Sequence, residues 1–432
     1  MPGPFPGPRD LNGRAARVTF ACMAAQMAMG AVYLRGPLAP DVLAEFGWSR
    51  GDFMFAATPQ TAVTALCSPL AGFLTQRYGA RPVVTFGVVW LGLLFWGFSE
   101  MRSLWHFFGL SIGVGVLVAS VGDVAVGAVV SKWVARGRGL ALGIVYSGSN
   151  LGGFLAATFG AGVLAERLGW RHAYLFYGLG LAAVLLPIVA TSVREPPAGY
   201  RPPSLSVGGA VESNASADIG IPLREALRTR SFWLLWSALF LFYVYFISVT
   251  AHLPLYLTDL GLSRPAVASS YGLMVGIGIA AKLGFGLIAD RFPPKAAAVG
   301  CFAVVSAAAF TLLGLGAEPG LLLPFVLGHG IATMAQNVVY PLIVAHCFGT
   351  RYMAEIYGVI MLALFPGGIA GPVFAGYVHD WSDSYQQVFW IYALGTLVSL
   401  AMLAAVRRET APDTPSEPGN GGRAQRRSAA LP

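Results

Sequence analysis

The chain has 432 residues, of which 56% are hydrophobic and only 11% are charged, and its formal net charge is +8. A soluble protein of this size carries about a quarter of its residues as charged side chains. The composition therefore excludes an ordinary soluble domain and indicates a protein whose surface mostly faces lipid. In such a protein the positive charge bears on loop orientation more than on nucleic-acid binding.

The chain contains apolar runs of about 20 residues, the length that crosses about 30 Å of hydrocarbon as a helix. Helices are expected because lipid offers backbone groups no hydrogen-bond partner. The first six runs lie at 17–43, 53–75, 82–99, 104–130, 138–163 and 172–193. The next six lie at 232–257, 266–289, 297–316, 320–346, 356–379 and 387–406. The sequence thus predicts an all-α membrane protein with twelve transmembrane helices.

Polar segments divide these helices into two groups of six. The segment between the groups is rich in Pro, Gly and Ser in its early part, which suits a flexible linker. The last segment has almost no large apolar residue, so we expect it to be disordered. The predicted domains are a cytoplasmic segment 1–16, an N-terminal half 17–193, a cytoplasmic linker 194–230, a C-terminal half 231–408 and a cytoplasmic tail 409–432.

The two halves repeat each other. GFLTQRYGARP begins at Gly72 after the second helix, and GLIADRFPPKA begins at Gly286 after the eighth, an offset of 214 residues. Two further matches keep this spacing to within one residue: Arg50 with Arg264, and the glycine pair 152–153 with the pair 367–368. Three matches in order predict two parallel six-helix halves with a binding site between them near the midplane.

The basic residues predict the orientation. With both termini inside, 21 of the 28 Lys and Arg residues fall on the cytoplasmic side and 6 on the outer side, while Lys282 lies within a helix. The acidic residues divide almost evenly, so the pattern is the positive-inside bias of membrane proteins. We therefore expect both termini in the cytoplasm.

The repeated loops resemble the signature G-x-x-x-D-R-x-G-x-[RK] of the major facilitator superfamily. Gln76 replaces the acid in the first copy, and Pro293 replaces the second glycine in the second. The residues that match this signature are Gly72, Arg77, Gly79, Arg81, Gly286, Asp290 and Arg291. The resemblance implies that Asp290 and Arg291 pair with charges at neighbouring helix ends and hold a closed state. The alternative is simple anchoring at the lipid headgroups.

A second motif narrows the resemblance. KWVARGRGLALGIVYSG, from Lys132 to Gly148, resembles the signature between helices four and five of the monocarboxylate transporters. FGWSR and AHLPLYLTDLGLS are similar to bacterial members of that group and to the oxalate/formate antiporters. The resemblance extends over residues 17–408.

Lys282 interrupts the apolar run GIGIAAKLGFGLIADRF eight residues before Asp290. Eight residues of helix span about 12 Å, so Lys282 lies near the midplane, where a charge persists if it faces a cavity or a partner. The resemblance implies that this position on helix eight holds the substrate carboxylate. The family usually has arginine there, and animal members have an aspartate one turn earlier, where this chain has Gly278. The alternative is a lysine that is buried neutral or paired for structure.

Arg35 in the first helix is a second candidate cation. Pro37 and Pro40 follow it and indicate a bent or broken helix, as is common where transporter helices line a cavity. The resemblance implies that Arg35 takes part in anion and proton binding. The alternative, an arginine at the outer membrane interface, stays open.

Asp123 is the carboxylate that the predicted helices leave inside the membrane, nine residues before Lys132. An intramembrane acid suggests a proton relay. A structural pair with Lys282 or a packing hydrogen bond explains it equally well. Asn337 and Tyr340 in the tenth helix, together with His329, are candidates to complete the cavity.

No catalytic motif is present. The six histidines are scattered, without a metal-binding spacing, and no GxxxxGK[ST] sequence indicates ATP-driven transport. Together with the resemblance, this predicts a secondary transporter of small organic anions in the bacterial inner membrane, not an enzyme and without a cofactor. Monocarboxylates with a coupled proton come first, and exchange of the oxalate/formate type or multidrug export are the alternatives. Besides the anion and the proton, the lipid bilayer is the expected partner of a protein that works as a monomer.

Overall fold

The computed structural model describes residues 13–134, 138–197, 200, 220–289, 292–349 and 352–409. We number the membrane helices α1 to α12. The first half contains α1 Gly13–Phe46, α2 Arg50–Ala57 with Pro59–Tyr78, α3 Ala80–Ser99, α4 Leu104–Val121 with Asp123–Trp133, α5 Arg138–Leu155 continued to Glu166–Leu168, and α6 Trp170–Ser192. The second half contains α7 Arg230–Asp259, α8 Arg264–Gly276 with Gly278–Ala289, α9 Pro294–Gly314, α10 Pro319–Phe348, α11 Met353–Met361 with Leu364–Ser382, and α12 Gln386–Ala405.

Within these ranges, eleven stretches are long and apolar enough to cross a membrane. The remaining helix is α2, whose run Pro59–Tyr78 carries several polar side chains, among them Gln60, Thr64 and Gln76. These lower its mean hydropathy without preventing the helix. The prediction of an all-α membrane protein with twelve helices in two halves is confirmed.

Each half has its own apolar core. The buried apolar side chains form two large clusters, one almost wholly from α1–α6 and the other almost wholly from α7–α12. The repeated glycine pairs explain how central helices approach within each half. A Cβ on Gly152 of α5 would clash with the carbonyl oxygen of Met27 in α1. A Cβ on Gly367 of α11 would lie 2.8 Å from that of Phe240 in α7. Small residues at helix crossings are the usual means of close packing in membranes.

The two faces of the helix bundle have different contents. The terminal face, as we call it, carries Gly13, Glu409 and the described ends of the connection between the halves, 193–197 and 220–229, of which Leu223–Ala226 forms a short helix. Lys132 pairs there with Glu195 at 2.8 Å. The opposite face carries the α1–α2 and α7–α8 connections.

Several membrane helices are interrupted, and the interruptions in α1, α4 and α8 bear on the candidate site. A 3₁₀ turn, Ala31–Leu34, precedes Arg35 in α1, because Pro37 cannot supply the hydrogen bond of a regular helical turn. Gly122 breaks α4 with φ −72° and ψ −179°, and Ile277 separates the two segments of α8. Irregular backbone at membrane depth is tolerated where protein or a cavity surrounds it. All three interruptions lie near residues that the sequence singled out.

Candidate functional site between the two halves

Lys282 lies half-buried in the second segment of α8, against α5 of the other half. Its Nζ donates to the carbonyl oxygen of Tyr146 at 3.0 Å, and Ser149 Oγ lies 3.5 Å away. Close packing allows this approach, because a Cβ on Gly278 would overlap the side-chain amide of Asn150. Of the carboxylates in the described residues, none forms an ion pair with Lys282. Its charge is therefore held at the interface by neutral groups.

Asp123 begins the second segment of α4, directly after the break at Gly122. Gln26 of α1 donates from Nε2 to the carbonyl oxygen of Val121 and to Asp123 Oδ1, each at 3.1 Å. Asp123 is exposed although Gln26 is fully buried. Its surroundings place this exposed surface toward the space between the halves.

Electrostatic contacts connect Asp123 to the second half. Its carboxylate interacts with Lys282 of α8 without a direct ion pair, and the side chain of Tyr357 of α11 lies near it. The structure thus brings Lys282 and Asp123 to the same interface, a proximity that the sequence analysis named as one alternative for Asp123. It also adds Gln26, Tyr146 and Tyr357, which sequence reasoning missed. Gln26 had a visible signal, because it is an isolated amide in the apolar run of α1.

Arg35 occupies a different level of the interface. Its Nη1 donates to Gln60 Oε1 of α2 at 2.9 Å, and the phenol groups of Tyr174 and Tyr271 lie near it. Nine residues of α1 separate it from Gln26, about 13 Å of helix toward the opposite face. Arg35 therefore does not share a cluster with Lys282 and Asp123.

The candidates in α10 separate. Asn337 is exposed, and it lies 214 residues after Asp123, the repeat offset. Tyr340 is fully buried in the second half, where its hydroxyl donates to the carbonyl oxygen of Leu235. His329 is also fully buried, and its Nδ1 lies 2.8 Å from the hydroxyl of Tyr245. Tyr340 and His329 are thus engaged inside the second half.

The first loop motif forms a tight turn at the terminal face. Gly79 joins α2 to α3 with φ +83°, a conformation that favours glycine, and its N–H donates to the carbonyl oxygen of Thr75 at 3.0 Å. Arg77 and Arg81 are exposed, and Gly72 lies within α2. The equivalent of Gly79 in the second copy is Pro293, with φ −54°, so the two turns differ.

Part of the second loop motif lies outside the described residues. Gly286 belongs to the helical segment Gly278–Ala289. Asp290 and Arg291, the predicted gating pair, fall in the undescribed part of the chain. Their pairing therefore stays a prediction.

At the opposite face, Arg50 of the first half binds the second half. Its guanidinium forms a bidentate pair with Asp259 at the end of α7, with distances of 2.7 and 2.6 Å. Its Nη1 also donates to the hydroxyl of Tyr385 at 2.8 Å. Tyr385 in turn contacts Nδ1 of His252 at 2.8 Å. His252 Nε2 lies 2.9 Å from the carbonyl oxygen of Pro372, which can only accept, so Nε2 carries the proton.

Two further contacts close this face. Arg264 of α8 forms an ion pair with Asp41 of α1, the reverse of the Arg50–Asp259 arrangement. The carboxylate of Asp380 in α11 accepts from the backbone N–H groups of Arg50 and Gly51, at 3.0 and 2.7 Å. A carboxylate from one half thereby caps a helix N-terminus of the other. The sequence showed Arg50 and Arg264 as equivalent positions of the repeat. It did not show that each arginine binds a carboxylate of the other half.

Comparison with known proteins agrees with this architecture. A model of the Major Facilitator Superfamily matches residues 20–372. Monocarboxylate transporter 11 of Homo sapiens is 27% identical over 370 residues, which cover 81% of this chain and 74% of the relative. The oxalate:formate antiporter of Oxalobacter formigenes is 24% identical over 411 residues, 92% of each chain.

A solved structure shows the same fold. It is a bacterial homologue of the human lysosomal transporter Spinster, in an inward-facing and occupied conformation. It matches with a TM-score of 0.63 at 16% identity, over 90% of this chain and 93% of that one. The resemblance seen in the loop motifs is confirmed, and the protein is a multi-pass membrane protein of transporter type rather than an enzyme. Because the family model covers more than half of its length, the chain belongs to the major facilitator superfamily.

Proposed function

We propose that the protein is a secondary active transporter of small organic anions, with monocarboxylates of the lactate and pyruvate type as substrates and a proton as coupling ion. The observation that carries this proposal is Lys282, a cation at the interface between the halves that is bound to a main-chain carbonyl rather than to an acid. The names of the similar proteins support the substrate class.

The donors of Lys282 suit a carboxylate. An ammonium group has three N–H donors, and its two contacts at 3.0 and 3.5 Å leave capacity for a charge-assisted bond to an anion. Arg35 uses one of its five donors on Gln60. It offers a second cation at the level of the interface that lies nearer the opposite face. Asn337 is exposed at a position equivalent to that of Asp123. The proposed binding residues are therefore Lys282, Arg35 and Asn337, because Tyr340 is engaged by Leu235.

Asp123 is the proposed proton site. When ionised, it balances part of the charge of Lys282 across the interface. Protonation removes that negative charge, so the site becomes more positive and binds an anion more strongly. Binding of the proton and of the anion thereby favour each other, which is the requirement for symport.

Alternating access gives the closed face a role. Lys and Arg residues concentrate in the connections of the terminal face, which the positive-inside rule assigns to the cytoplasm. On this orientation, the contacts of Arg50, Arg264 and Asp380 close the outer side. The site is then reached from the cytoplasm, in the inner membrane of a bacterial cell. A single chain contains both halves of the site, so we propose that the monomer is the functional unit.

Uptake of labelled pyruvate and lactate into proteoliposomes tests the proposal. We expect accumulation when the outside is acidic, little uptake without a pH gradient, and no inhibition by an ethidium-like cation. Two fixed cations in a low-dielectric space repel a third. Transport of the cation and not of the carboxylates would instead identify a multidrug exporter.

Anion exchange is the second candidate. The match to an oxalate:formate antiporter over 92% of both chains favours it. In the same vesicles, counterflow of oxalate or formate without any uptake driven by a pH gradient would identify an exchanger.

A further inference from the structure

Two groups at the break in α4 need hydrogen-bond partners, the carbonyl oxygen of Val121 and the carboxylate of Asp123. Gly122 is extended at ψ −179°, so the helix ends at Val121 and begins again at Asp123. Half-helix ends at the midplane are where secondary transporters place their coupling ions. Here both groups are bound by one side chain, because Gln26 donates to the carbonyl of Val121 and to the carboxylate of Asp123.

Gln26 is held firmly in this position. It is fully buried, and α1 packs so closely on α5 that a Cβ on Gly148 would lie 2.9 Å from the Cβ of Gln26. Its Oε1 is buried without a hydrogen-bond partner among the described residues. A buried amide that leaves its oxygen unpaired is unfavourable. The two donated bonds offset that cost, so the chemistry of this amide is directed at the break.

We propose that Gln26 is the positioning residue of the proton site, which holds the ionised carboxylate of Asp123 in the break of α4 and so sets the pH at which the coupled proton binds. This inference rests on the proposed function of Asp123. A hydrogen bond to a carboxylate is stronger than one to the neutral acid, so Gln26 favours release of the proton. Among the described residues, the other titratable groups that face Asp123 are Lys282 of α8, whose charge also favours the ionised carboxylate, and the phenol of Tyr357 of α11.

The test is the pH profile of transport. Gln26→Met keeps the length of the side chain but removes both donors, so the carboxylate holds its proton more tightly. We expect the half-maximal pH of gradient-driven pyruvate uptake to rise by about one unit, as the loss of one hydrogen bond to a charged group implies. The control is Thr19→Val in the same helix, because Thr19 is fully buried and, among the described residues, its hydroxyl donates only to the carbonyl oxygen of Ala15 one turn earlier. Its profile should match the wild type.

Two further variants separate the possible failures. Asp123→Asn should lose gradient-driven uptake, and if it does not, the assignment of the proton site is wrong. If it does, but Gln26→Met leaves the half-maximal pH unchanged, the proton site stands and the role of Gln26 is refuted. If Gln26→Met does not reach the membrane, Gln26→Glu serves instead. Its second carboxylate repels the charge of Asp123, so the profile must again move to higher pH, and an unchanged profile contradicts the inference.

Discussion

At the scale of single residues, the proposed function rests on the charges inside the membrane. A charged side chain at the centre of a membrane helix costs roughly 2.5–3.5 kcal/mol on insertion scales. Lys282 recovers part of this cost through the carbonyl of Tyr146, and Arg35 through Gln60. Neither forms a direct ion pair with a carboxylate among the described residues. This state is the one that the proposed binding of an anion requires.

Replacement of Lys282 by Gln should therefore abolish anion uptake without unfolding the protein. A hydrogen bond between charged groups contributes about 1.5–3 kcal/mol, so we expect uptake to fall at least about tenfold. Lys282→Arg keeps the charge and should retain partial activity. The matched control is Lys295→Gln, because Lys295 also donates to a main-chain carbonyl, that of Val406, but at the terminal face. Normal uptake by Lys282→Gln would remove this residue from the binding site.

At this scale, the sequence predicts a functional residue when that residue stands out from its own neighbours along the chain. Lys282 and Asp123 interrupt apolar runs, so each was visible by itself. The link between Gln26 and Asp123 joins residues 97 positions apart and was not. Tyr340 was predicted to line the cavity, but it is buried inside the second half. Helical periodicity does not tell which side of a buried helix meets a neighbouring helix and which side meets a cavity.

At the scale of helices, glycines lie where two helices approach most closely. The pairs that revealed the repeat lie where α5 crosses α1 and where α11 crosses α7. Their spacing predicted a repeat, but not the partner helices, since close approach depends on the arrangement of all twelve. The breaks in α4 and α8 were also missed, because Gly122 and Ile277 stand in runs that read as continuous apolar helix.

Gly152→Ala should destabilise the first half. The added Cβ would clash with the carbonyl of Met27, and overpacking costs typically about 1–3 kcal/mol. The control is Gly180→Ala in α6, where a Cβ meets nothing within 4 Å. Both changes add the same helix propensity, so a lower melting temperature of Gly152→Ala alone isolates the crossing. Equal melting temperatures would show that α1 and α5 tolerate a wider separation.

At the scale of the whole molecule, the repeat produces a reciprocal closure. Arg50 of the first half binds Asp259 of the second, and Arg264 of the second binds Asp41 of the first. The fold class, the twelve helices and the equivalence of Arg50 and Arg264 in the repeat were predicted from the sequence. That the two arginines exchange partners between the halves did not, because it depends on which conformation the halves adopt. Separation of the halves at this face must break both pairs and release Asp380 from the first turn of α2.

Arg50→Gln should shift the protein toward conformations in which the opposite face is open. The change removes the bidentate pair with Asp259 and the bond to Tyr385, while Arg264 still binds Asp41. Spin labels at Trp105 and Trp381, which are 78% and 85% exposed on this face in different halves, report the separation after the four native cysteines are replaced. We expect a longer distance between the two labels to gain population in Arg50→Gln.

Arg102→Gln is the control, because its pair with Glu100 is a solvent-exposed contact of 3.7 Å within one half, and such pairs contribute little. If both variants keep the wild-type distance distribution, the side-chain contacts of Arg50 do not determine closure, and the remaining contacts of Arg264 and Asp380 together with the helix crossing at Gly51 and Gly376 hold this face shut.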